Sequence, residues 1–471
     1  MRFLLVLFLL AGGASAHIGS PDVFMEGPAG PYSLFVTVQP PSVIPGIAQI
    51  QVRVSAPGVS QVAATPLAMT GPASRLAPIA DQLVPSKDDP QTFNGAVWLM
   101  QTGSWQVRIQ AQGTQGVGTI SVPIPALARR SLAMPEALGA LLLGLTALLV
   151  FGLVAITGAA VREAQLEPGV APDKGHRWRG RLVMAGVLLL VLGMVWFGNS
   201  WWNSEAQDYS ERIYKPLQIT PSLTGAKLTL HITDPGWLPW RKIDDFIPDH
   251  GHLMHLYLIR EPQMDRIFHL HPEMTGPGVF ALDLPVMDAG KYGLYADVVH
   301  ADGFPETLTA TLTIPEVKGR ALEGDDAMAT AAPVQETGTT TREFTLPDGY
   351  RMRFMPAGPL VAKRAQLFRF ELLDPQGNAP RDMRLYMGMT GHAAFVKTDG
   401  SVFAHIHPNG SVSMAAVMMT GSPHDMPGME AGLPDTVQFP YGFPSAGHYR
   451  IFVQMKHGDT IETGVFDAFV G

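Results

Sequence analysis

Met254-His255-Leu256-Tyr257-Leu258-Ile259, then Phe268-His269-Leu270-His271-Pro272, then Ala289-Gly290-Lys291-Tyr292 running on to His300: these blocks occur in order, and they occur twice. The second copy reads Gly391-His392-Ala393-Ala394-Phe395-Val396, then Phe403-Ala404-His405-Ile406-His407-Pro408, then Ala446-Gly447-His448-Tyr449 running on to His457. The last block has the same length in both copies, and the spacing of the first two differs by one residue. Such self-similarity marks an internal duplication. It pairs His255 with His392, His269 with His405, His271 with His407 and His300 with His457.

The duplicated stretch predicts strands. Lys227–Ile232, Leu253–Ile259, Tyr292–Val299 and Glu306–Ile314 are short runs bounded by turn residues, which is how sheets read in sequence. The same rhythm fills residues 17–128, with Leu34–Val38, Ala48–Val54 and Ser104–Ile109. Glycine (49) and proline (40) are abundant, favouring many turns over long helices. The expectation is a mostly β chain of three immunoglobulin-like sandwiches: residues 17–128, residues 213–315, and residues 342–471 with a Met-rich insertion. Residues 316–341, rich in Ala, Thr, Gly and acidic residues without periodicity, read as a linker.

Three apolar runs interrupt this pattern. Arg2, the run Phe3–Leu10 and Ala14-Ser15-Ala16 have the order of a secretory signal peptide over residues 1–16. Residues 137–161 and 182–204 each meet the ~20-residue requirement for a transmembrane helix. Trp196, Trp201 and Trp202 close the second run as interfacial residues do. Arg162, Lys174, Arg177, Arg179 and Arg181 crowd the loop 162–181. The positive-inside rule makes that loop cytoplasmic and both β-rich parts exported, the organisation of an inner-membrane protein with periplasmic domains.

Composition removes several functions. With no cysteine, disulfides, Fe–S clusters, thiolate zinc sites and cysteine nucleophiles are excluded. A formal net charge of −8, spread along the chain, gives no footprint for nucleic acid. No nucleophile elbow, phosphate loop or dinucleotide fingerprint is present, so no enzymatic activity is expected. Transmembrane runs without internal charge offer no transport pathway.

The histidines point to a metal. Residues two apart in a strand share a face, so His269 with His271, and His405 with His407, form imidazole pairs, each halted by a proline near a sheet rim. His300 and His457 have the parity of the core-facing residues of their strands, as a buried ligand would. Imidazole binds copper and zinc. Thioethers stand near the motifs: Met254 beside His250 and His252, then Met387 and Met389, then the insertion with Met414, Met418, Met419, His424, Met426 and Met429. Thioether with imidazole and no thiolate favours copper, Cu(I) above all, with zinc as the alternative. The expected ligands are His255, His269, His271, His300, His392, His405, His407 and His457, with Met254, Met418, Met426 and Met429.

The Met-His-Leu, His-Leu-His-Pro and Ala-Gly-x-Tyr blocks resemble the YtkA-like β-sandwich domains of bacterial envelope proteins. That resemblance covers roughly residues 213–315 and 345–471 and implies copper or heavy-metal handling beside membrane-anchored partners. The second copy departs from it in having Gly391 for Met254 and in its long insertion. His17-Ile18-Gly19-Ser20-Pro21-Asp22 resembles the start of copper carriers of the CopC type, but residues 18–130 hold no second histidine to complete such a site. The expected role is a membrane-anchored metal-binding envelope protein that buffers, delivers or resists copper, alongside other metal-handling proteins. The competing reading is an adhesive or scaffolding envelope protein whose histidines are structural.

Overall fold

The computed structural model describes residues 21–55, 57–421 and 433–471. The expected signal peptide, His17, His424, Met426 and Met429 lie outside them. Strand accounts for 45% of the chain and helix for 17%, and nearly all of the helix lies in the two apolar segments. The described residues up to Leu127, together with Lys215–Gly471, form one compact unit; Ala128–Tyr214 form a second.

The second unit is a helical hairpin, Glu136–Glu163 and Lys174–Glu211. Both helices are long and apolar enough to cross a membrane. Leu141, Leu149, Phe151, Leu189, Trp196 and Phe197 face outward. The helices touch at Gly158, where an added Cβ would lie 2.4 Å from Met184 Cγ; small residues permit such close approach. Both helices continue past the apolar runs, so the connection shrinks from the expected 162–181 to 164–173. Asp173 sets the second start, accepting the His176 backbone N–H at 2.7 Å as an N-cap does, and the basic residues from Lys174 onward become helical.

In the first unit every named sheet is antiparallel. Residues 23–126 form an eight-stranded sheet. Each repeat then carries two sheets over one core. In the first repeat, the four strands Glu273–Gly276, Val279–Asp283, Lys227–Thr233 and Gln218–Thr224 face the five strands Pro305–Ile314, Gly290–Val299, His255–Glu261, Arg266–Leu270 and Ala327–Thr330. In the second, Glu343–Thr345, Arg351–Met355, Gln366–Leu373 and Thr436–Tyr441 face Met383–Arg384, Thr460–Val470, Gly447–His457, His392–Lys397 and Phe403–Ile406.

Ala327–Thr330 corrects the linker expectation. This strand pairs with Arg266–Leu270, placing Ala327 opposite His269, and Met287 and Val317 exchange backbone hydrogen bonds ahead of it. Its four small or flexible residues carry no apolar periodicity, so the sequence hides it.

The His-bearing strands are covered on both faces. Met254, Leu256 and Leu258 enter the core of the first repeat, and the alternate residues His255, Tyr257 and Ile259 are equally buried. They meet the second repeat. Tyr257, Ile259, Met264, Ile267 and Tyr295 pack with Ala394, Val396, Phe403, Phe452 and Val465 in one apolar cluster. Tyr295 stacks on Phe403 with centroids 4.3 Å apart, an arrangement contributing about 0.5–1.5 kcal/mol beyond its buried area. The two five-stranded sheets thus pack face to face, and all six paired-motif histidines lie on the facing surfaces.

The N-terminal sheet joins the second repeat. Phe24 and Phe35 enter its core. Glu26 donates its N–H to the Asn409 carbonyl at 2.8 Å, and Ser411 donates to that of Phe24 at 2.9 Å. Gly410 is required there, because a Cβ would lie 2.0 Å from Phe24 O. This backbone ladder holds the turn that follows His407.

Candidate metal centre

Eight histidines meet between the repeats: His250, His252, His255, His269 and His271 from the first, and His392, His405 and His407 from the second. Neighbouring ring centroids lie 3.9 Å apart for His252–His271, 4.8 Å for His250–His407, 5.1 Å for His392–His407 and 5.4 Å for His255–His405.

Most of these rings are anchored by one nitrogen. His271 Nδ1 lies 3.1 Å from Asp326 Oδ1, His405 Nδ1 3.2 Å from Asp297 Oδ2, and His407 Nδ1 3.1 Å from the Val412 carbonyl. His269 Nδ1 lies 2.9 Å from Gln454 Oε1, and His255 Nε2 3.0 Å from the Asp249 carbonyl. An acceptor on one ring nitrogen fixes the tautomer and leaves a lone pair on the other, the usual support for a ligating histidine. The opposite nitrogens point into the cluster. Nε2 of His250, His271, His405 and His407, and both nitrogens of His392, are buried without a hydrogen-bond partner. Buried polar atoms are almost always paired, so this concentration calls for something that accepts several lone pairs.

Spacing agrees. His255 Nδ1 and His269 Nε2, both opposite anchored nitrogens, lie 3.2 Å apart. Tetrahedral coordination with metal–nitrogen bonds of ~2.0–2.1 Å puts neighbouring donors about 3.3 Å apart. Two triads have ligand atoms mutually within 4.8 Å: His255, His269 and His271, and His250, His392 and His407.

The electrostatics favour neutral rings. Burial, reinforced by neighbouring imidazoles, holds His255, His269, His392 and His405 well below the ordinary histidine pKa. His407 is brought down to about 3, by burial first and then by His250. Metal binding needs the neutral ring. Asp297, buried, is pushed up to about 7.

The supports cross between repeats with pseudo-twofold logic. Asp297 pairs in register with His255, and Gln454 with His392. From these matched positions Asp297 reaches His405 of the other repeat, and Gln454 reaches His269. Tyr386 adds its hydroxyl, 3.3 Å from His269 Nδ1 and donated to the Asp325 carbonyl at 2.6 Å.

Four expected ligands fall elsewhere. His300 and His457 do face their cores, but they meet carboxylates instead of imidazoles. His300 sits between Asp245 at 2.8 Å and Glu306 at 3.0 Å; burial opposes its charge, yet the two carboxylates hold its pKa above the ordinary value. His457 lies 3.2 Å from Glu462 and stacks on Tyr350, and Asp348 joins His457 and Glu462 in a separate group able to hold a metal. Met254 is an apolar core residue, because strand alternation turns it away from His255. Met418 is exposed on the short helix Met414–Met419.

His250 and His252, noted in the sequence beside Met254 but left out of the expected ligand set, complete the cluster. They belong to the turn Asp249-His250-Gly251-His252, closed by reciprocal backbone hydrogen bonds between Asp249 and His252. Tyr386-Met387-Gly388-Met389 is closed in the same way, at the same distance before His392 as the first turn lies before His255. His250 and Met387 both adopt positive φ, 52° and 51°, followed by positive-φ glycines, as two-residue hairpin turns require. Aligning these turns would have revealed that histidine in one repeat stands where methionine stands in the other.

A family model described as a domain of unknown function (DUF8832) matches residues 218–316 and 344–471, the two repeats. No curated protein matches the chain. Among solved structures, the chain is similar to a tetra-tandem repeat from the extending region of a large adhesion protein, at 8% identity over 90% of this chain and 71% of that one, with a TM-score of 0.16. It is also similar to Salmonella alpha-2-macroglobulin reacted with methylamine, at 10% identity over 96% of this chain, with a TM-score of 0.22. Trypsin-activated alpha-2-macroglobulin from Escherichia coli gives 9% identity over 96% of this chain and a TM-score of 0.17. The chain spans 24% of each macroglobulin. At these TM-scores none of the three bears on function.

Proposed function

We propose that this chain is a membrane-anchored cell-envelope protein that binds a transition metal, copper first, for buffering, delivery or resistance. The observation that carries the reading is the set of buried imidazole nitrogens without partners, three of them on rings (His271, His405 and His407) whose other nitrogen is already anchored. Copper leads because imidazole sites bind it most tightly among the divalent first-row metals; zinc is the alternative. The anchor is the helical hairpin, with the basic residues around the 164–173 connection on the cytoplasmic side and three immunoglobulin-like sandwiches in the periplasm. The resemblance of the repeats to YtkA-like domains accords with this reading and does not carry it. Other envelope metal-handling proteins are the expected partners.

The test uses the full chain in detergent, because Phe24 and Phe35 belong to the core of the second repeat and a truncation would open it. Apo protein is loaded separately with Cu(I), Cu(II) and Zn(II), desalted, and its metal counted. Copper should be retained, and replacing His271 and His407 together by Ala should abolish retention. If the wild type retains no metal, the scaffolding reading takes its place.

A further inference from the structure

Resting on that reading, we infer that the chamber is a binuclear centre: one ion is held by the first repeat alone, and the second by a site that exists only where the repeats meet. His255, His269 and His271 all belong to the first repeat. The other triad is mixed, since His392 and His407 come from the second repeat and His250 crosses from the first. His250 is carried by a turn whose counterpart bears Met387, so the sites are related by the duplication but not equivalent.

The triads are neighbours. His250 and His255 rings are 6.1 Å apart. His405 forms a shared wall, 5.4 Å from His255 and 5.6 Å from His392, with its buried Nε2 unpartnered. Two like charges so close repel strongly in a buried site, and the carboxylates of Asp297, Asp325 and Asp326, beside His405, His252 and His271, stand around the chamber to offset them. The mixed site also ties the repeats together: an ion there bonds both, and its binding free energy adds to the stability of their packing.

The experiment titrates the full chain in detergent with Cu(I) anaerobically, by competition with a chromophoric chelator, and with Cu(II) followed by electron paramagnetic resonance. Two ions per chain are expected. The second Cu(II) equivalent should broaden or quench the signal of the first through magnetic coupling. His250→Ala should reduce the count to one. His250→Met places in this turn the residue that Met387 already carries at the same φ, so its fold is retained. It should keep two Cu(I) but bind a single Zn(II), since thioether selects soft Cu(I). One ion in the wild type, or two uncoupled ions, overturns the binuclear centre and leaves metal binding standing. No ion in either oxidation state overturns both. Two ions retained by His250→Ala would overturn the mixed site.

Discussion

The two repeats share their strand pairing and their three inward histidines, but differ in how they treat a buried charge. At the core-facing end of the first, His300 and Glu306 are joined by Arg241, whose guanidinium donates to Glu306 at 3.1 Å and to Asp234. At the matching end of the second, His457 and Glu462 stand with Asp348 and Asp382. Among the described residues no arginine or lysine pairs with Glu462 there. One end is an ion-paired plug, the other a carboxylate group with a protonation still to settle. Duplication therefore conserved the frame of both repeats while their charge chemistry diverged, and the same divergence separates the His250 turn from the Met387 turn.

Breaking the plug gives the largest effect. The side chains of Arg241 and Glu306 are 3% and 1% exposed, and removing one partner of a buried pair typically costs 3–5 kcal/mol. Arg241→Ala should lower stability by about that amount in denaturant unfolding of the detergent-solubilised chain. A loss below ~1 kcal/mol would mean that water already screens the plug.

The second end should respond to pH instead. Glu462 is pushed up to about 7, by burial first and then by the adjacent Asp348, with His457 pulling the other way. Its folded pKa thus lies above the unfolded value of ~4.3. The folded state holds the extra proton, so this contribution is full below ~4.3 and is lost as pH rises through about 7. Between pH 5 and pH 8 the wild type should lose on the order of 2 kcal/mol relative to Glu462→Gln. A difference that stays flat across that range would remove Glu462 as the source.

Much of this was legible in the sequence, for reasons that particular residues make clear. The blocks around His255 and His392 announced the duplication, and the two-residue spacing put His269 with His271 and His405 with His407 on common faces. The apolar runs gave the first helix to within two residues at each end, but the second runs about two turns further at both ends, into polar sequence. Two things stayed hidden. In Leu256-Tyr257-Leu258-Ile259 both faces of the strand are apolar, so nothing local says that one faces its own core and the other faces a second domain. Parity then directed attention to His300 and His457, whose companions are carboxylates distant in sequence, such as Asp245 and Asp348. Asp297, Asp326 and Gln454 act across the repeats or from a disguised strand connection, and no spacing rule reaches them.

The central claim is that imidazoles from both repeats, and not the methionines, hold the metal. X-ray absorption at the copper edge of the Cu(I)-loaded full chain tests it most directly. The account predicts three or four imidazole nitrogens at about 2.0 Å and no sulfur neighbour. A sulfur shell at about 2.3 Å in the wild-type protein would contradict it and return the site to the thioethers.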